Sequence, residues 1–137
     1  MAYAEECQVD FAIEPAVHHI IYDIKTIAKL IDDLESKRVK VIFDPVNLMT
    51  QELAMDQRRF FETFFETFET RINMVHVKDF TYFGQEKQVL TSGQGELDYG
   101  YLHQMIKQSH QSMDVMLEGV SPELMLSAIG NMKQLDF

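Results

Sequence analysis

The sequence is poor in several features that would place it in a particular class of protein. Its 137 residues include one cysteine, no tryptophan and three prolines, and the formal net charge is -10. Cys7 alone cannot form an internal disulfide, which favours a reducing compartment, and we expect a cytoplasmic protein. Excess negative charge disfavours nucleic acid or an anionic membrane as a partner. No apolar run approaches the ~20 residues needed to cross a bilayer.

The chain does contain a pattern that occurs four times: a short run of β-forming residues, with a stretch of helical periodicity after it. The runs lie near 8–14, 39–44, 72–77 and 113–118, and the helical stretches near 23–36, 50–71, 98–110 and 122–135. Strands that alternate with helices indicate an α/β fold with a parallel sheet. We therefore predict one domain, 1–137, built from four βα units.

A stripe of phenylalanines dominates the second helical stretch. It has the spacing i, i+1, i+4, i+5, i+8, which is typical of the buried face of a helix. Its members are Phe60, Phe61, Phe64, Phe65 and Phe68. Residues 47–49 and the glycine-containing segment 80–97 are predicted to be loops, and a long loop at the carboxyl end of a strand often carries function.

Each of the four strand runs ends in a side chain that can bind a metal ion. These side chains are Glu14, Asp44, His76 and Glu118. Ligands of parallel α/β sheets bind beyond the carboxyl ends of the strands, so all four are expected on one face. Such a set of oxygen and nitrogen ligands suits Mn²⁺, Co²⁺, Mg²⁺ or Zn²⁺. Each residue alone has a simpler explanation, since a carboxylate can cap the next helix and a histidine can belong to the core.

Five short motifs occur in order and at suitable spacing. They are Ala12-Ile13-Glu14-Pro15, Phe43-Asp44-Pro45-Val46-Asn47, Val75-His76-Val77-Lys78-Asp79, Gly93-Gln94-Gly95-Glu96-Leu97-Asp98-Tyr99 and Leu117-Glu118-Gly119. Together they resemble the sugar isomerase/epimerase family with a xylose-isomerase-like TIM barrel. The resemblance covers essentially the whole chain, and it implies one divalent metal held by Glu14, Asp44, His76 and Glu118.

The resemblance also implies roles in catalysis and substrate binding. Glu14 and Glu118 would flank the substrate carbon as base and acid. Asn47 occupies a position that commonly contacts substrate, and its amide can hydrogen-bond a hydroxyl. Lys78 is the second candidate for substrate binding. Lys78 and Asp79 have two other interpretations, as supports behind the metal ligands or as an exposed pair.

The main departure from the family is length. A TIM barrel has ~250 residues and eight strands, so four strands correspond to its carboxyl-terminal half. A half-barrel has two unpaired strand edges and an uncovered sheet face. We therefore expect a homodimer that forms through these edges, so that a second copy completes or covers the barrel.

Two functional classes follow from these observations. The first is a metal-dependent isomerase or epimerase of a small sugar or sugar phosphate. The second is a truncated, catalytically inactive half-barrel that folds and dimerises. The endonucleases of the same superfamily are disfavoured, because they need Asp-x-His before the Gly-x-Gly, where this chain has Lys87-Gln88-Val89.

Overall fold

The computed structural model describes residues 1–134. The last predicted helix extends to position 135, which lies outside the described residues. In chain order the elements are α1 Ala2–Cys7, β1 Phe11–Ile13, α2 Ile24–Leu34, β2 Val39–Phe43, α3 Pro45–Leu48, α4 Gln51–Ala54, α5 Gln57–Phe68, β3 Ile72–Val77, β4 Asp79–Phe83, β5 Glu86–Leu90, α6 Tyr99–Gln108, β6 Asp114–Leu117, a 3₁₀ turn at Pro122–Leu124 and α7 Met125–Gln134. Over this part of the chain, every helix is too short or too polar to span a bilayer.

Four strands form one parallel sheet in the order β1-β2-β3-β6. Each strand pairs only with its neighbours in this order, so within residues 1–134 the outer sides of β1 and β6 form two open edges. This sheet confirms the predicted α/β class and the half-barrel arrangement of four βα units. The two outer strands are shorter than the predicted 8–14 and 113–118, because each has a hydrogen-bonding partner on one side only.

The phenylalanine stripe on α5 is the centre of the core, as predicted. Its rings surround Phe43, the last residue of β2, and the ring of Phe64 stacks on Phe43 with centroids 4.0 Å apart. Both side chains are fully buried. Alternate residues of a strand point to opposite faces, so Ile42 and Asp44 lie on the face away from α5. The packing of Phe43 against α5 therefore decides which way Asp44 projects.

The segment 80–97 is not the loop that the sequence analysis predicted. Strands β4 and β5 within it form an antiparallel hairpin, with Phe80 opposite Val89. The hairpin turns at Gly84, which has a φ of 60°, a value that glycine adopts without steric cost. Four β-forming residues, Phe80–Phe83, were the available signal for the first strand. The second strand is mostly polar, which hid the pairing.

The segments around Asn47 and Met55 also differ from the prediction. Residues 47–49 were predicted to be a loop, but Asn47 lies inside α3. This helix begins early because Asp44 caps it, accepting a hydrogen bond from the Asn47 N–H at 2.9 Å. The predicted helical stretch 50–71 is divided into α4 and α5, and Asp56 caps the start of α5.

Candidate metal centre

The four predicted ligands converge at the carboxyl ends of the four parallel strands. Glu14, Asp44, His76 and Glu118 each offer one ligand atom, and these atoms lie within 4.8 Å of one another. The Nδ1 atom of His76 lies 3.1 Å from an oxygen of Glu14 and 3.4 Å from an oxygen of Glu118. The imidazole therefore faces the carboxylates through Nδ1, while its Nε2 lies 3.3 Å from the sulfur of Met74.

These residues fit a divalent metal ion by both their spacing and their chemistry. Opposite ligands bonded at ~2.1 Å lie ~4.2 Å apart, so the observed spread requires only small side-chain movements. Three carboxylates and one imidazole are also a donor set that divalent ions commonly bind. Oδ2 of Asp44 is buried, and the ammonium of Lys78 lies 2.8 Å from it. An ion at the centre of the cluster would share or replace that contact.

Lys78 lies among the ligands and is almost fully buried, with 6% of its surface exposed. Its Nζ donates a hydrogen bond to Oε2 of Glu118 at 2.8 Å. Nζ also lies 2.8 Å from Oδ2 of Asp44, as an ion pair whose angle is poor for a hydrogen bond. The interpretation of Lys78 and Asp79 as an exposed pair is wrong, because both are buried. Substrate binding by Lys78 stays a prediction.

The pKa values of the two carboxylates beside Lys78 are shifted in opposite directions. Burial raises the pKa of Asp44 to about 6, and a hydrogen bond that shares its proton with Glu118 adds to this shift. Burial would also raise the pKa of Glu118, but hydrogen bonds from Asp44 and Lys78 lower it below its usual value. For Lys78, burial opposes the charged form, but Asp44 and Glu118 outweigh it and raise the lysine pKa. At neutral pH the lysine is therefore charged.

Asn47 supports one of the ligands directly. Its side-chain amide donates a hydrogen bond to Oε1 of Glu14 at 2.9 Å, the same oxygen that faces His76. Its position on α3, close after the capping residue Asp44, brings the amide to the rim of the cluster. The contact of Asn47 with a substrate hydroxyl stays a prediction.

The segment with the Gly-x-Gly motif is held behind the cluster by one buried carboxylate, Asp79. This carboxylate accepts backbone N–H hydrogen bonds from four residues. They are Phe80, Gly93, Gly95 and Leu97. A Cβ on Gly95 would lie 2.2 Å from the carbonyl oxygen of Phe80, so only glycine fits there. Tyr99 then donates its hydroxyl to the backbone carbonyl of Lys78 at 2.8 Å, which fixes the lysine's main chain.

Lys87 is a second lysine near the centre, half-buried, and the sequence analysis gave it no role. Its Nζ donates to the carbonyl oxygens of Val46 at 2.7 Å and Met49 at 2.9 Å. Burial lowers the pKa of Lys87 below its ordinary value. These bonds tie the β4–β5 hairpin to the segment that carries Asp44 and Asn47. No local pattern could reveal them, since the bonded residues are 38 and 41 positions apart.

A cleft opens beside the cluster on the side of β1. It encloses about 420 Å³, and its lining residues are Glu14, His18, His19, Ile20 and Ile21. Both histidines are exposed and stand outside the ligand set. The cleft is wide enough for a molecule of sugar size, with Glu14 at its boundary.

Fold and site together define an α/β protein with half of a TIM-barrel sheet and a candidate metal centre at the strand ends. The chain belongs to the xylose isomerase-like TIM barrel family, whose model matches residues 1–135. No curated protein matches the chain.

Solved structures of low sequence identity share the fold. A xylose isomerase domain protein from Planctomyces limnophilus has a TM-score of 0.77 and 14% identity, over 98% of this chain and 47% of that one. An IolI protein with a bound zinc atom has a TM-score of 0.69 and 18% identity, over 98% of this chain and 50% of that one. Mannonate dehydratase from Streptococcus suis serotype 2 has a TM-score of 0.62 and 14% identity, over 83% of this chain and 35% of that one. This chain thus spans about half the length of the first two.

Proposed function

We propose that this chain is the carboxyl-terminal half of a metal-dependent isomerase or epimerase that acts on a small sugar or sugar phosphate. One observation carries the proposal: Glu14, Asp44, His76 and Glu118, which are far apart in sequence, present ligand atoms within 4.8 Å of one another. The family match and the bound zinc of the IolI structure support a divalent metal at this position. The donor set is compatible with Mn²⁺, Co²⁺, Mg²⁺ or Zn²⁺.

The proposed reaction is proton transfer at the carbon next to a carbonyl. A divalent ion bound by the four residues would supply Lewis-acid polarisation of the carbonyl oxygen. One of Glu14 and Glu118 removes the proton, and the electrons of the broken C–H bond move into a carbon–carbon double bond as the carbonyl oxygen gains charge. The other glutamate then returns a proton to carbon on the same or the opposite face. Asn47 and Lys78 donate hydrogen bonds to substrate oxygens.

The positions of the two glutamates are compatible with the roles of base and acid in this reaction. They follow β1 and β6, the two outer strands, so they approach the centre from opposite sides of His76. The lowered pKa of Glu118 is compatible with its role in proton transfer, since it keeps the carboxylate ionised at neutral pH. We assign base and acid to the two glutamates as a pair.

The test is exchange of the carbonyl-adjacent proton of ketohexoses and ketopentoses with solvent, followed by NMR in D₂O with added Mg²⁺ or Zn²⁺, which are diamagnetic. We expect exchange by the native chain and at least about a hundredfold loss in Glu118→Gln. Glu66→Gln makes the same change on the exposed face of α5 and should keep full activity. Equal exchange in Glu118→Gln and the native chain would show that Glu118 is neither the base nor the acid.

A homodimer is the second part of the proposal. The open edges of β1 and β6 carry exposed apolar residues, including Phe11 at 52% and Val115 at 41%. Pairing these edges between two copies would bury them and satisfy unpaired backbone groups. Light scattering at micromolar concentration should give twice the chain mass. A stable monomer would contradict edge pairing.

The inactive half-barrel remains the competing proposal, because one observation favours it. The chain spans 47% of the xylose isomerase domain protein that it matches, so its four strands correspond to half of the wall of a usual barrel. A dimer that binds metal but exchanges no proton from any ketose would support this alternative. Proton exchange that depends on Glu118 would exclude it.

A further inference from the structure

We infer that Lys78, besides its proposed contact with substrate, acts as an internal cation of the metal centre. It holds Asp44 and Glu118 together when no ion is bound, and it weakens the affinity of the centre for a divalent ion. The inference rests on the metal site of the proposed function, but it concerns a residue outside the four ligands. It predicts that loss of this lysine makes metal binding tighter.

The first support is the position of the ammonium group. Nζ of Lys78 lies 2.8 Å from both Asp44 and Glu118, two of the four ligands. These are the distances of direct ion pairs, so the ammonium contacts oxygens that an incoming ion would use. An ion must displace the lysine from at least part of these contacts.

The second support is that the lysine cannot move far from the centre. Its main chain joins the end of β3 to the start of β4, and Tyr99 binds its carbonyl oxygen at 2.8 Å. The next residue, Asp79, is fixed by four backbone N–H groups. Lys78 itself is only 6% exposed, so the surrounding packing limits how far the ammonium can withdraw from a bound ion.

The third support is the charge of the cluster. Glu14, Asp44 and Glu118 carry three formal negative charges when ionised, and Lys78 offsets one of them. The remaining charge is balanced by one divalent ion. Without the lysine, the same ion would meet three uncompensated carboxylates. In a partly buried site, removal of one positive charge this close to a divalent ion strengthens binding by at least about tenfold.

The test is calorimetric titration of the full chain with Mn²⁺, which needs no substrate. We compare the native chain with Lys78→Met and Lys78→Gln, because two neutral replacements of different shape separate charge from packing. The matched control is Lys40→Met. Lys40 lies near the other end of β2, where its Nζ bonds to the carbonyl of Thr70, so this variant removes the same charge from the same sheet. Circular dichroism confirms that each variant is folded.

We expect both Lys78 variants to bind Mn²⁺ at least about tenfold more tightly than the native chain, and the control to change by less than about twofold. Binding detectable only in the Lys78 variants would support the inference still more strongly. Unchanged or weaker binding in both variants, with a native chain that binds, would overturn the role of Lys78 and leave the proposed function intact. No binding by any of the chains would overturn both.

Discussion

The buried carboxylate of Asp44 makes the stability of the metal-free protein depend on pH. Burial and the proton shared with Glu118 raise the pKa of Asp44 from 3.8 to about 6 in the folded protein. The folded state therefore binds this proton more tightly than the unfolded chain does. Stabilisation by the protonated form is complete below pH 4 and is lost as the pH rises through 6.

The size of the effect follows from the shift. A shift from 3.8 to about 6 corresponds to a loss of about 3 kcal/mol of unfolding free energy between pH 4 and neutral pH. The lowered pKa of Glu118 acts in the opposite direction, because its contribution is lost as the pH falls. The unfolding free energy therefore changes less with pH for the pair of carboxylates than it would for Asp44 alone.

The assay is urea unfolding in the presence of a chelator, from pH 4 to pH 7.5. Asp44→Asn is the reference, because asparagine has nearly the same shape, still caps α3, and does not titrate. Acidic groups away from the cluster contribute equally to both chains, so the difference between the two curves reports Asp44 together with its effect on Glu118. We expect the native chain to lose up to about 3 kcal/mol relative to the variant as the pH rises.

Two results would refute this reasoning. One is a pair of parallel curves, which would mean that Asp44 titrates normally in the folded protein. The other is a native chain that gains stability relative to Asp44→Asn from pH 4 to 6, which would mean that its pKa is lowered. With added Mn²⁺ the stability of the native chain should instead rise with pH, since a bound ion requires the ionised carboxylate.

Two further predictions concern stability. Gly95→Ala should lower the unfolding free energy by about 2 to 3 kcal/mol, because its Cβ would lie 2.2 Å from the Phe80 carbonyl oxygen. Gly130→Ala, inside α7 with open space around it, should raise the unfolding free energy by up to about 1 kcal/mol. Equal effects of the two substitutions in urea unfolding would refute the steric argument. Phe64→Ala should cost about 3 to 5 kcal/mol, because Phe64 is fully buried and stacks on Phe43. A loss below about 1 kcal/mol would show that α5 packs loosely on the sheet.

The ligand positions could be predicted from sequence because they follow from local patterns. Each strand run was short and apolar and ended in a carboxylate or an imidazole, and parallel strands bring their carboxyl ends to one edge. The buried face of α5 could be predicted equally well, since the helical spacing of its phenylalanines is enough to identify such a face. Both predictions depended on residues within a few positions of one another.

The contacts of Lys78 and Lys87 could not be predicted in this way. Lys78 and Glu118 are 40 positions apart, and Lys87 and Val46 are 41 positions apart. Which carboxylate or carbonyl a lysine meets depends on strand order and on the hairpin, whose polar second strand gave little β signal. A pair of charged residues between two apolar ones, Val77-Lys78-Asp79-Phe80, was the available hint that Lys78 is buried.

The β4–β5 hairpin is held at its base and also near its turn, yet the turn leaves space for a larger side chain. Asp79 anchors the base, Lys87 binds the carbonyl of Val46 one pair from the turn, and the Gly84 carbonyl accepts a hydrogen bond from Gln51. A side chain added at Gly84 would meet nothing within 4 Å. The exposed neighbour Gln85 is therefore a suitable place for a fluorescent label. Because Lys87 connects this end of the hairpin to the segment that follows Asp44, such a probe could report ligand binding from a distance without touching the residues that perform it.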